Sequence, residues 1–166
     1  MPEKETLERA HEDAQEGKSP STQAGEFVRE EMHHIREGKH GARSPQQAIA
    51  IGLSKARRAG VRLRAPRKGK ASAKTRKQAS RDYRKGQASS HRKPSTKRSR
   101  ATSAALKREG RRAASPKSLA RQARTSAKRR GSAARSRAAI KSIRTKGKKG
   151  RSMAAKKAAN TRHLAA

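Results

Sequence analysis

In STQAGEFVREEMHHIREG, residues 21–38, Ala24, Phe27, Val28, Met32 and Ile35 recur three and four positions apart. That spacing predicts one apolar helical stripe. Ser21 or Thr22 is placed to cap its start and Gly38 to end it. In RSPQQAIAIGLSKARRAG, residues 43–60, the same period returns at Ile49, Leu53 and Ala56, with Ile51 widening the stripe. Ser44 suits the N-cap, Pro45 the first helical position, and Gln47 the far corner of a capping box. Gly60 suits the left-handed position past the end, with Val61 folding back onto Ala56. Two helices, about 22–37 and 45–59, joined by GKHGARS, read as an antiparallel hairpin.

A third stretch, residues 3–16, predicts a short helix with Leu7, Ala10 and Ala14 on one side. Beyond residue 64 the apolar pattern thins out. Tyr83, Leu106, Leu119, Ile140, Ile143, Met153 and Leu164 are its only large apolar residues. Seven such side chains cannot offset backbone ordering at about 1–2 kcal/mol per residue. The reading is therefore all-α: an acidic N-terminal arm (1–19), a helical hairpin (20–64) and a basic tail (65–166) expected to be mostly disordered alone. A hairpin near 40 residues is at the lower limit of independent folding, which leads to an expectation of self-association, a homodimer through the head.

Charge sharpens that division. The chain carries a net +35, with 47 Lys and Arg against 12 Asp and Glu. Residues 1–64 hold nearly balanced charge, whereas Asp82 and Glu109 are the only acids from residue 65 onward. The arm's acids suggest either a solvated helix or a segment folding over the tail. One Phe, one Tyr, no Trp and no Cys exclude disulfides, zinc fingers, thiol catalysis and a base-stacking platform. The start, MPEKETLERAHED, has no apolar run of the secretory kind. No stretch has the apolar length of a membrane span, so the expectation is a cytoplasmic, nucleoid-associated protein without membrane contact.

The tail has order of its own. RSRAAIKSIRTK (135–146) and RSMAAKKAANTR (151–162) share R-S-x-A-A-x-K, with a weaker copy in ATSAALKREGRR (101–112). Gly110, Gly131, Gly147 and Gly150 separate Ala-rich segments with candidate caps at Thr102, Ser115, Ser132 and Ser152. Helix propensity is high there, but like charges one turn apart oppose it until phosphates neutralise them. The pattern points to double-stranded DNA held without sequence preference, with structured RNA as the alternative partner, or a protein-binding head localised by its tail. Candidate contacts are Arg57, Arg58, Arg62, Arg64, Arg67, Lys68, Lys70, Arg111, Arg112, Lys128, Arg129, Arg130, Arg135, Arg137, Lys148, Lys149, Arg151, Lys156 and Lys157. Duplex DNA presents one charge per about 1.7 Å, so the tail's excess cations match roughly 56 Å of duplex.

Other chemistry is weaker. Glu30, His33, His34, Glu37 and His40 cluster in sequence, but no H-E-x-x-H is present and adjacent histidines point to different faces. A polar helix face explains them, so no metal or other cofactor is expected. His side chains tuning DNA contact with pH is a further reading. Gln46 and Gln47 could open a recognition helix, but the linker exceeds the usual 3–4-residue turn. No nucleophile, base and orienting group occur together, so an enzyme is not expected. QAIAIGLSKARRAG, with EFVREEMHHIREGKHGARS before it, resembles a family of small basic bacterial proteins of unknown function sharing QAIAIGLSEARKAG. The resemblance covers about residues 20–63, implies a bacterial source and a compact helical unit, and assigns no chemistry. Lys55 stands where that motif has an acid. The tail's Ala/Lys-rich composition and Ser115-Pro116-Lys117 resemble linker-histone and bacterial histone-like tails.

Overall fold

Ser-Pro pairs start three of the helices. Ser19 precedes α2 (Pro20–Glu37), Ser44 precedes α3 (Pro45–Arg58), and Ser115 precedes α6 (Pro116–His163). Proline fits the first helical turn because its missing N–H would have no partner there. Ser44 Oγ accepts the Gln47 N–H at 3.2 Å, and the Gln47 side chain returns a bond from the Arg43 N–H at 2.8 Å. The expected start of α2 near residue 22 is corrected: Pro20 sets it two residues earlier. Completing the helices are α1 (Lys4–Gln15), α4 (Ala73–Gln87), α5 (Thr96–Lys107) and a 3-10 turn (Arg111–Ala114).

This computed structural model describes residues 2–88 and 95–163, without the side chains of 145, 146, 154, 157, 158 and 161–163. Among the described residues every regular element is helical, so the chain is all-α. No helix there is long and apolar enough to cross a membrane. Leu164 and the residues of 89–94 lie outside the description. The chain divides into two compact units, Met1–Ala120 and Arg121–Ala166.

In the first unit, α2 and α3 form the expected hairpin. α3 ends as predicted: Val61 N–H bonds Ala56 O at 3.1 Å and Gly60 N–H bonds Arg57 O at 3.2 Å, with Gly60 at φ +94°. Two apolar clusters lie along the pair. One joins Ala10, Ala24, Phe27, Ala56 and Val61, with Leu53 and Leu63 packed on it. The other joins Met32, Ile35, Ala42 and Ala48 to Ala113 and Ala114, with Val28, Ile49 and Leu119 packed on it. Ile51 is half-buried and belongs to neither cluster. The α2–α3 crossing is close because residue 52 is glycine. A Cβ there would stand 2.7 Å from Val28 Cα and 2.9 Å from Val28 N.

Helix α1 lies on α2, but with a different face from the one expected. Thr6 and Ala10 are buried, while Leu7 is 40% exposed and Ala14 is exposed. The reason is electrostatic as well as apolar. Arg9 Nε donates to Glu26 Oε2 at 3.0 Å, and Glu3 Oε1 accepts from His34 Nε2 at 2.8 Å and Lys39 Nζ at 3.0 Å. Those two bonds hold the Glu3 carboxyl down at about 2. The arm's acids thus pair within α1 and α2, as Lys4–Glu8, Arg9–Glu5 and Lys18–Asp13 also show.

The described residues of 65–120 depart from the expected disorder. Asp82, Glu109, Ala113, Ala114 and Leu119 of this segment dock to the hairpin. Asp82, 1% exposed, accepts from Ser54 Oγ at 2.7 Å and Arg58 Nε at 2.8 Å on α3, and from Gln78 Nε2 at 3.0 Å. Gly86 lets α4 lie against the Arg57 carbonyl, where a Cβ would collide with backbone. The α2–α3 loop bonds the last turn of α5 and the segment after it, Gly41 N–H to Leu106 O at 2.9 Å and Ala42 N–H to Gly110 O at 3.2 Å. Glu109 lies 3.5 Å from Arg43. Arg36 Nε donates to Ala114 O at 3.1 Å, beside the alanines that close the second cluster.

The remainder of α6 is also helical where disorder was expected, because alanine-rich propensity outweighs the repulsion between neighbouring cations. Its backbone leaves helical geometry at Gly131 (φ +76°) and Gly147 (φ +61°), two of the four glycines expected to separate segments. Gly110 precedes the 3-10 turn, whereas Gly150 is helical. Ser115 Oγ caps the start of α6, accepting the Ser118 N–H at 3.2 Å. Thr102 is no cap: it lies inside α5 and its hydroxyl donates to Arg98 O at 3.0 Å.

Candidate nucleic-acid interface

α3 ends in two adjacent arginines with opposite fates. Arg57 is buried at 7% exposure. Its Nε donates to Leu63 O at 3.1 Å and its Nη1 to Leu53 O at 3.4 Å. It therefore fastens the chain leaving α3 back onto the helix. Burial pushes its guanidinium below the ordinary value, though Asp82 works against that. The Arg57 guanidinium, predicted as a candidate contact, is thus committed to backbone carbonyls rather than offered to solvent. Arg58 has half its side chain in solvent but is paired with Asp82, Nη2 to Oδ1 at 2.8 Å. Burial alone would raise the Asp82 carboxyl; hydrogen bonds from Ser54, Arg58 and Gln78 outweigh it and hold the group below its ordinary value.

From Arg62 the chain leaves regular structure and turns at residues 68–70, and Arg62, Arg64, Arg67, Lys68 and Lys70 are all exposed. This run leads into α4. The docked face of α4 is Ala79, Asp82 and Gly86, and its other sides expose Lys74, Lys77, Arg81, Arg84 and Lys85. Those five cations extend the predicted run and were legible only as bulk charge. The helix carries no apolar stripe, so hydrophobic periodicity could not orient it. Its single acid was the available signal: one carboxylate among so many cations marks the side that faces the fold. Arg111 and Arg112 are exposed on the 3-10 turn.

In the second unit Lys128, Arg129, Arg130, Arg135, Arg137, Lys148, Lys149, Arg151 and Lys156 are exposed on α6. Lys157 lies in the same helix, with its side chain outside the described residues. Residues 121–166 contain no Asp or Glu at all. Ile140, Ile143 and Met153 are exposed at 52%, 48% and 69%, so no core forms beneath these cations. The first unit thus presents Lys and Arg on the outer side of α4, with Asp82 turned toward the fold, and the second presents them on a helix that has no acid.

The predicted polar cluster is partly regrouped. Glu30 and Glu31 are buried against Lys55, whose Nζ lies 3.1 Å from Glu30 Oε1 and contacts Glu31 Oε1. His34 and His40 turn toward the same point, with ring centroids 5.9 Å apart, while His33 and Glu37 remain exposed. Burial works against the Lys55 ammonium, but its contacts with Glu31 and then Glu30 raise it above the ordinary value. Lys55 is thus the counter-charge of two buried carboxylates. No protein family, curated protein or solved structure matches this chain.

Proposed function

We propose that the protein binds double-stranded DNA without sequence preference and condenses it, as a nucleoid-associated, histone-like protein. The observation that carries this reading is the second unit: α6 exposes cations on all sides, and residues 121–166 offer no carboxylate to compete with phosphate. A helix fits the major groove, about 12 Å wide, yet Lys and Arg on every face contact phosphates in any register. The breaks at Gly131 and Gly147 allow successive segments to follow different stretches of backbone. The exposed run Arg62–Lys70 and the outer side of α4 supply a further basic surface on the first unit.

The test is a salt titration of the full chain against unrelated duplexes of equal length. Even about ten phosphate contacts give a log–log slope near −9. Equal affinities with such a slope support the reading. A strong preference for one DNA sequence, or a slope near zero, overturns it. Duplex RNA run in parallel decides the polymer: tighter binding to RNA than to DNA replaces this reading with an RNA-binding one.

A further inference from the structure

We propose that Glu31, His34 and His40 form a binding site for one divalent transition metal ion of the zinc class. Glu31 and His34 lie on α2 and His40 on the loop after it. The three side chains are 0%, 10% and 16% exposed. One ligand atom from each falls within 4.8 Å of the other two. His40 Nε2 stands 3.4 Å from Glu31 Oε2. Tetrahedral zinc with bonds of about 2.0–2.1 Å places neighbouring ligands about 3.4 Å apart, so this edge already has the spacing.

Proton placement carries the argument further. His40 Nδ1 is 3.1 Å from its acceptor, Gly41 O, and His34 Nε2 is 2.8 Å from Glu3 Oε1. Each bond places the proton of a neutral ring on its outward nitrogen. His40 Nε2 and His34 Nδ1 then turn lone pairs toward the Glu31 carboxylate, His40 Nε2 nearest Oε2 and His34 Nδ1 at 3.9 Å from Oε1. Glu31 Oε2 accepts no hydrogen bond although fully buried. Lys55 reaches only the other oxygen, Oε1, so Oε2 and the two inward imidazole nitrogens face one another without a donor of their own, an arrangement that a cation between them satisfies. The outward bonds from His34 to a carboxylate and from His40 to a carbonyl are also the partners that orient metal-bound imidazoles.

The charged surroundings are consistent with this ion. Lys55 contacts Glu31 Oε1, which leaves Oε2 as the ligand atom, and it also binds Glu30. Glu30 Oε1 lies 3.9 Å from His34 Nδ1 and stays as a second negative charge beside the site. Two imidazoles and one carboxylate suit zinc and its neighbours better than calcium or magnesium, which favour oxygen. Such an ion would tie the loop carrying His40 to α2. The same loop bonds Leu106 and Gly110, so metal occupancy would reach the docking of the basic segment.

Zn²⁺ titrated calorimetrically into the metal-stripped full chain is expected to bind once per chain and to raise the melting temperature. Co²⁺ in its place should give the visible absorption of a four-coordinate site. His40→Ala and Glu31→Gln should each weaken Zn²⁺ binding by about tenfold or more, judged against far-ultraviolet circular dichroism for folding. His33→Ala, at the exposed neighbouring histidine, should leave it unchanged. If Glu31→Gln does not fold, His40→Ala in the loop decides alone. No stoichiometric uptake by the wild-type chain overturns the proposal and assigns the pocket to protonated imidazoles paired with Glu31. Equal losses in His33→Ala and His40→Ala also overturn it, as adventitious binding by surface histidines.

Discussion

Gly52 of α3 rests against the backbone of Val28 in α2, at a distance that leaves no room for a methyl group. The two helix backbones touch there, and the apolar clusters flank the crossing on either side. In an exposed helix, Gly→Ala gains up to about 1 kcal/mol of propensity. Overpacking against backbone costs typically about 1–3 kcal/mol, so at residue 52 the loss should win. Gly52→Ala should therefore lower stability in chemical unfolding. Gly25→Ala, in α2 with nothing near its missing Cβ, should raise it. Similar effects from both substitutions would contradict the crossing.

Asp82 should make stability depend on acid. Its folded-state carboxyl lies below its ordinary value, so its contribution is fully present above the unfolded value near 3.8 and is lost as pH falls through the folded one. Asp82→Asn should cost about 1–3 kcal/mol at neutral pH, since hydrogen bonds to a charged group are replaced by weaker ones. The gap between wild type and variant should close below about pH 4. A gap that stays constant down to acid pH would mean that α4 is not fastened through this carboxylate.

The second cluster needs Ala114, which has no exposed surface. Ala114→Asp places an unpaired charge among Met32, Ile35 and Ala48. It should cost more than about 3 kcal/mol, within the range for uncompensated buried charge. Ala105→Asp, on the exposed side of α5, should stay within about 0.5 kcal/mol. Thermal melts of the two variants compare them directly. Equal melting temperatures would show that the hairpin holds its core without residues 113–119.

Arg57 and its exposed neighbours should separate in a DNA titration. Replacing Arg62, Arg64, Arg67, Lys68 and Lys70 together by Gln should make the salt slope shallower by up to about 4.5, near 0.9 per lost phosphate contact. Arg57→Gln should lower the melting temperature and leave the slope alone, because its guanidinium is committed to Leu53 and Leu63 carbonyls. A slope change for Arg57→Gln as large as that for one exposed cation would return it to the interface.

The hairpin was legible because its information is local. Ser44, Pro45, Gln47 and Gly60 act within a few residues of themselves, and the stripe through Phe27, Ile35, Leu53 and Ala56 follows one period. What escaped was anchoring by polar and small residues. Asp82 binds Ser54 and Arg58 from 28 and 24 positions away, and Ala113 and Ala114 bury in a core written more than sixty residues earlier. Alanine carries no hydrophobic signal in an Ala-rich tail, and a lone acid among cations reads as noise until its partners are known. Among the candidate contacts, the burial of Arg57 was hidden for a related reason: the last turn of a helix favours a cation whether its head reaches solvent or folds back on carbonyls.

The closing of the second cluster by Ala113, Ala114 and Leu119 has a consequence for synthesis. The α2–α3 hairpin can pair as soon as residue 58 leaves the ribosome, whereas its last wall is still about sixty residues away. At roughly 5–20 residues per second the apolar end of the hairpin waits several seconds without its cover. During that interval the emerging chain has its acids in hand and most of its cations still to come. Chain order therefore delivers the self-paired, nearly neutral part first and the strongly cationic part only after the hairpin has had time to form.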